Sequence, residues 1–291
     1  MRRWRSIGAL AVVGGLVLAG CGDTDDDATA TTEPAGDAGG CAVDSLPLKA
    51  DGTLTIGTDS PAFPPWFVDD DPTNGEGFES AVAYAVAEEL GFEAADVTWT
   101  VAAFNNVIAP GAKDFDFDIN QVSISDERDE AVDFSTGYYD VNQAIVGFAD
   151  SAAAGATSID DLKGLKLGAQ VGTTSLDFIT EVIAPDAEPF VYNDNSAAKA
   201  ALDAQQVDAI VLDLPTAFFV SAVEIEGTAV IGQFPAADGE TEQFGLVFEE
   251  GSALRDCVNE ALARLEESGA LDAIEQEWLS DVVDAPVIEA G

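Results

Sequence analysis

No histidine occurs in this chain of 291 residues. That absence removes the usual general base of neutral-pH catalysis, a common metal-ligating ring, and every Ser-His-Asp or Cys-His relay. Basic residues are scarce too: 11 Lys and Arg stand against 55 Asp and Glu, a net charge of −44. Nucleic acid is therefore not an expected partner, because phosphate binding needs clustered Lys and Arg. No metal and no cofactor is implied. What is present is apolar: 47% hydrophobic and 8% aromatic residues are too many for a wholly disordered acidic chain. They suffice for one packed core or two.

Long hydrophobic runs are also few. Arg2, Arg3 and Arg5 precede an apolar stretch, 7–18, too short and too rich in glycine for a spanning helix but suited to a secretory signal. It ends in Leu18-Ala19-Gly20-Cys21, which resembles the bacterial lipobox. The alternative is an ordinary signal cleaved nearby, with Cys21 incidental. On the lipobox reading, 1–20 is a lipoprotein signal peptide and Cys21 is lipidated. The product is then exported and anchored to the outer face of the bacterial cell membrane without a spanning helix. Cleavage leaves 8 of the 11 basic residues against all 55 acids, a charge of −47. An acidic tether, expected to be disordered over 21–48, follows. The remaining cysteines, Cys41 and Cys257, form a disulfide in an exported protein or stay as two free thiols.

Beyond the tether, strands and helices alternate, which predicts an α/β fold. Strands are expected at 53–58, 97–101, 115–120, 141–148, 165–170, 189–192, 207–212, 228–234 and 244–248. Helices are expected over 77–91, 126–132, 172–183, 196–205, 252–268 and 271–279. In the first of these, Phe78, Val82, Val86 and Leu90 recur every four residues on one face.

Four places have the chemistry to meet a ligand. Arg128, the only arginine between Arg5 and Arg255, is either a surface side chain paired with its acidic neighbours or a fork for a carboxylate. Gly172-Thr173-Thr174-Ser175 lies at a strand-to-helix junction and serves as an N-cap or as an anion site. Asp213 ends an apolar strand, where it caps the next helix or accepts an ammonium group. The loop Asp59-Ser60-Pro61-Ala62-Phe63-Pro64-Pro65-Trp66 is a stiff surface loop with its aromatics inward, or an aromatic wall for a ligand. Together the four complement a zwitterionic amino acid.

In this order these residues resemble the family 3 extracellular solute-binding proteins of amino-acid ABC transporters, over roughly 50–280. The resemblance is carried by Leu54–Asp59 with Pro64-Pro65-Trp66, by Gly77-Phe78-Glu79, and by Val122-Ser123-Ile124-Ser125-Asp126-Glu127-Arg128. Val132-Asp133-Phe134-Ser135 with Tyr138-Tyr139, Asp161-Leu162-Lys163-Gly164 through Thr174, and Val207-Asp208-Ala209-Ile210-Val211-Leu212-Asp213 complete it. It implies a two-lobed periplasmic-binding-protein (Venus flytrap) fold with two crossings, near 142–146 and 234–242. Lobe 1 then comprises 49–143 and 241–284, and lobe 2 comprises 144–240. Cys41 and Cys257 fall in one lobe, which favours their bonding.

The resemblance further implies that Arg128, the Ser123 region and Thr173 or Thr174 hold a ligand α-carboxylate. Asp213 takes the α-ammonium, Phe63 and Trp66 pack on the ligand, and Asp59 faces its side chain. Gln121 stands where the family has a small residue, and its long amide is expected to reach the pocket. Asp59, the aromatic loop and Gln121 favour a polar or cationic amino acid. The expected partners are that amino acid, ABC transporter permease subunits and, through the lipid, the membrane; a monomer is expected. Two alternatives share the fold. One is a dehydratase of prephenate-like or arogenate-like acids, with Asp59 or Glu79 as its acid. The other is a sensor that presents its ligand to a receptor.

Overall fold

Ten strands among the described residues, 40–235, 241–279 and 285–288, form two five-stranded sheets in the computed structural model. The signal segment, Cys21 and the tether up to residue 39 lie outside these residues. The strands before the first crossing are β1 (Leu54–Thr58), β2 (Val97–Val101), β3 (Phe117–Asp118) and β4 (Asp133–Val141). Those after it are β5 (Gln143–Phe148), β6 (Leu167–Gln170), β7 (Phe190–Tyr192), β8 (Ala209–Asp213) and β9 (Thr228–Phe234). β10 (Glu242–Phe248) returns to the first sheet. The helices are α1 (Phe78–Glu89), α2 (Phe104–Val107), α3 (Asp126–Asp129), α4 (Thr174–Asp177), α5 (Asn195–Asp203), α6 (Leu214–Phe219), α7 (Arg255–Ser268) and α8 (Ala270–Leu279).

The first sheet runs β2-β1-β3-β10-β4 and the second β7-β6-β8-β5-β9. Each has a parallel half and an antiparallel edge: β1 pairs in parallel with β2 and β3, while β10 runs antiparallel to β3 and β4. In the second, β6 pairs in parallel with β7 and β8, and β5 runs antiparallel to β8 and β9. Each sheet has its own core. Trp66, Phe67, Phe78, Phe117, Phe244 and Phe248 are fully buried in lobe 1. Phe78, Val82 and Val86 of α1 go into it, the four-residue spacing placing them on one buried face. Lobe 2 packs Ile145, Leu162, Leu167 and Ile179 on one side of its sheet and Val146, Leu202 and Ile210 on the other. Burial on both sides accounts for the unbroken apolar run of β8.

The crossings are short. β4 ends at Val141 and β5 begins at Gln143, already paired to Asp213 and Phe234 of the second sheet. Gln143 thus sits on the lobe 2 side of the boundary, where the sequence placed it in lobe 1. The tether reading of 21–48 also runs too far. Val43–Ser45 form a 3-10 turn and Leu46 is buried in the lobe 1 core, because Leu46 and Leu48 are apolar enough to pack there. Cys41 is bonded to Cys257 of α7, with an S–S distance of 2.05 Å. A further segment joins lobe 2 after α8: Val287 bridges to Gln233 of β9, and Ile288 is buried in the lobe 2 core. Gly232 makes room for it, since a Cβ there would fall 2.4 Å from Ile288 Cγ1. No helix of the described residues is long and apolar enough to cross a membrane.

Candidate functional site

Between the lobes lies a cavity of about 340 Å³, walled by the loops that leave the carboxyl ends of the strands. Asp59 and Phe63 follow β1, and Asn120, Gln121, Ser123 and Arg128 follow β3. Lobe 2 supplies Thr173 and Thr174 after β6, Asn193 and Asn195 after β7, and Asp213 at the end of β8.

Arg128 turns inward. Ser125 caps α3 by accepting from the Arg128 backbone N–H at 3.3 Å, and the arginine side chain leaves this single turn 8% exposed. Its Nη1 donates to the Ser123 carbonyl at 2.6 Å, and its Nη2 donates across the cleft to the Gly172 carbonyl at 2.9 Å. The guanidinium lies 5.6 Å from the centre of the Phe104 ring. Gly172 suits this approach: its φ is +74°, and a Cβ would come 2.9 Å from Asn105 Oδ1 of lobe 1. Burial pulls the Arg128 pKa down, while the Glu242 and Asp177 carboxylates raise it. Two Nη groups held by carbonyls leave further N–H groups of the fork for a carboxylate.

Asp213 faces the same cavity without capping α6 through its side chain. Its Oδ2 accepts from Thr216 Oγ1 at 2.7 Å, and Thr216 accepts from the indole N–H of Trp66 at 2.8 Å. Withdrawal from water raises its pKa to about 6; the Thr216 bond lowers it and Glu242 adds to the rise.

The two aromatics of the proline-rich loop part company. Phe63 lines the cavity, and Lys199 of α5 stands 3.7 Å above its ring, held by Glu224 at 2.9 Å. Trp66, expected to pack on a ligand, is fully buried in the lobe 1 core, edge-on to Phe78, Tyr139 and Phe244. Its large apolar ring gains more from that core than from a polar cleft, and its N–H is satisfied by Thr216. Asp59 lines the cavity, with its oxygens accepting from the backbone N–H groups of Ser60 and Phe104 at 2.7 and 3.2 Å.

Gln121 is also in the wall, with φ at +49°. Its side-chain amide does not aim freely at the cavity: one N–H donates to Glu79 Oε2, and its backbone N–H donates to Glu79 Oε1 at 2.7 Å. Glu79 is fully buried and also accepts from the Tyr138 hydroxyl. Burial raises the Glu79 pKa to about 7 against the opposing pull of these hydrogen bonds. Thr173 is a cap: its Oγ1 accepts from the Leu176 N–H at 3.2 Å and donates to the Gln170 carbonyl at 2.8 Å. Thr174 instead donates to Glu242 at 2.6 Å, as Ser123 does at 2.5 Å.

With this geometry in place, comparison with known proteins is informative. The model of the bacterial extracellular solute-binding proteins, family 3, matches residues 54–281. The chain belongs to this family. The L-cystine-binding protein TcyJ of Escherichia coli is 29% identical over 234 residues, covering 79% of this chain and 84% of TcyJ. Two solved structures of an ancestral arginine-binding protein are similar to this chain. The one bound to arginine has a TM-score of 0.66 at 32% identity, covering 78% of this chain and 98% of that one. The one bound to glutamine has a TM-score of 0.67 at 30% identity, covering 79% and 99%.

Within this solute-binding protein, several wall residues were not singled out by the sequence. Asn193 and Asn195 come from the loop after β7 and flank Asp194, which caps α5 by accepting from the Ala197 N–H at 2.8 Å. The signal was a polar run, Asn193-Asp194-Asn195-Ser196, directly after a strand. Glu242, which is not in the wall but accepts from Ser123 and Thr174, carried none: it begins β10 at a crossing read only as a connection.

Proposed function

We propose that this protein captures an amino acid, a polar or cationic one, outside the cell and delivers it to an ABC importer. Lipid on Cys21 holds it at the membrane, and it works as a monomer. The observation that carries the reading is the presence of Arg128 and Asp213 in the wall of one cavity, a fixed cation and an acid for the two ends of a zwitterion. Asp59 adds a second carboxylate to the wall, which favours a side chain that is cationic or donates hydrogen bonds. Lobe opening admits the ligand, and closure buries it and creates the form that docks on the permease. The names of the similar proteins, cystine-binding and arginine-binding, support the same class. No chemistry on the ligand is invoked; Glu79, one possible acid, sits under Gln121 rather than in the wall.

A thermal-shift screen of the twenty amino acids tests the reading. A ligand that binds only the folded protein raises its melting temperature, by an amount that grows with concentration over Kd. At least one polar or cationic amino acid is expected to do so at micromolar concentration, and silence from all twenty contradicts the proposal. Labelling of the expressed protein by a radioactive fatty acid, lost in Cys21→Ser, is expected for the anchor.

A further inference from the structure

The family resemblance implies two crossings between the lobes, and this chain makes a third. α8 belongs to lobe 1, where Leu279 is buried in the core. Residues 285–288 belong to lobe 2. Only 280–284 separate them, and the chain from Leu279 to Ala285 spans at most about 20 Å.

The landing on lobe 2 is specific. β9 is an edge strand of its sheet, with a row of backbone groups open to a further partner. Gln233 of β9 donates its backbone N–H to the Pro286 carbonyl at 2.7 Å, and its carbonyl accepts from the Ile288 N–H at 3.0 Å. Ile288 enters the core, 3% exposed, in the room left by Gly232. The Gln233 side chain then joins this segment to the hinge. A carbonyl oxygen only accepts, so Gln233 Nε2 donates to the Ala285 carbonyl, at 3.0 Å. That turns Gln233 Oε1 to Asn142, whose Nδ2 donates to it at 3.0 Å. Asn142 is the single residue between β4 and β5, at the first crossing. Gln233 itself stands one residue before the end of β9, where the second crossing begins. One amide thus ties all three crossings together.

We propose that 285–288 is a strap between the lobes, clamped to the hinge by Gln233, that limits how far the empty protein opens. Two crossings leave the lobes free to swing and to twist about a short hinge. A third, fixed at both ends, removes the open arrangements that need more reach than 280–284 allow. Fewer open arrangements raise the share of the closed, binding-competent form, and apparent affinity for any ligand rises with that share. The inference rests on the opening and closing of the lobes proposed above, and not on which solute the cavity takes.

Distances between two spin labels test it on the mature chain with Cys21→Ser and no ligand added. Glu127 of lobe 1 and Glu181 of lobe 2 are exposed, and both raise the pKa of Asp177 beside the Arg128 contact, so labels on Glu127→Cys and Glu181→Cys face each other across the cleft. Cys41 and Cys257 are bonded and take no label. A run of Gly and Ser inserted between Val282 and Val283 slackens the strap and leaves its seat on β9 in place. The inserted chain is expected to show a mean distance longer by several ångströms and a broader distribution than the original. Gln233→Leu, which frees the hinge from the segment, is expected to shift both in the same direction, and no shift there removes the clamp. A segment that merely covers the sheet edge behaves differently: ending the chain after residue 284 lowers stability in urea, yet the inserted chain keeps the original distances. That result overturns the inference. Should the insertion unseat Ile288, the strap is lost outright and longer distances are still required. Silence from all twenty amino acids in the thermal-shift screen contradicts the functional reading and leaves these distances unaffected.

Discussion

Asp213 meets the cavity as a carboxyl group withdrawn from water, with its pKa raised to about 6. An ammonium group beside it favours the ionised form, so binding at pH 5 has to release a proton that binding at pH 7.5 does not. Affinity for the amino acid is expected to hold above pH 7 and to fall below pH 6, by up to about tenfold per pH unit. Calorimetry across this range checks it, and the dependence should vanish in Asp213→Asn. The empty protein has its own pH signature. Glu79 and Asp213 both titrate higher folded than unfolded, so the folded state holds protons that the unfolded chain has released. Stability contributed by these two groups is therefore present at low pH and lost as pH rises from about 4 to about 7. Melts of Glu79→Gln are expected to show a flatter pH profile over that window. Arg128 and Asp213 were legible in the sequence because each is a charge at an element end where the fold gathers ligands. The hydrogen bonds of their neighbours were not, since Ser123 and Thr174 both donate to Glu242, a residue 119 positions from Ser123 in sequence.

The elements were more legible than their edges. The spacing of α1 and the apolar run of β8 marked their buried faces directly. The alternation over 115–120 suggested a full strand, yet the strand spans only Phe117–Asp118, with the backbone N–H groups of Asp116 and Ile119 donating to Thr55 and Gly57 of β1 at its two ends. Trp66 was misread for a physical reason: three prolines announce a stiff loop but not which aromatic it folds beneath α1. The closing segment around Ile288 was not foreseen at all, for a lone buried Ile beside Pro286 has no periodicity to detect. Its seat predicts a specific sensitivity. Gly232→Ala would drive a methyl group into Ile288 and should cost about 1–3 kcal/mol, the usual penalty for overpacking. Urea melts measure this, and the loss should be much smaller in a chain that ends after residue 284, where the clash is gone.

The charge of −44 was first a reason to exclude nucleic acid, and the fold gives it a second meaning. Acids cover both lobes while cores and cavity are built from neutral residues and a few fixed charges, so the excess is a solubilising surface whose self-repulsion salt screens. The disulfide opposes that repulsion in lobe 1 by joining positions 216 residues apart. Removing it with Cys41→Ser and Cys257→Ser is expected to cost about 2–5 kcal/mol of stability and to leave ligand affinity nearly unchanged, since neither residue lines the cavity. The two lobes meet through side chains that reach from one to the other: Arg128 to Gly172, Trp66 to Thr216, and Lys199 to Phe63. Arg128 thus takes part both in the contact between the lobes and in the charge pairing of the cavity. Calorimetric titration of Arg128→Ala and Asp213→Ala with the amino acid that the wild type binds probes that coupling. Each variant is predicted to bind at least about tenfold more weakly, because each leaves one ligand charge buried without its partner. Wild-type affinity in either one would contradict the assignment of this cavity to a zwitterion.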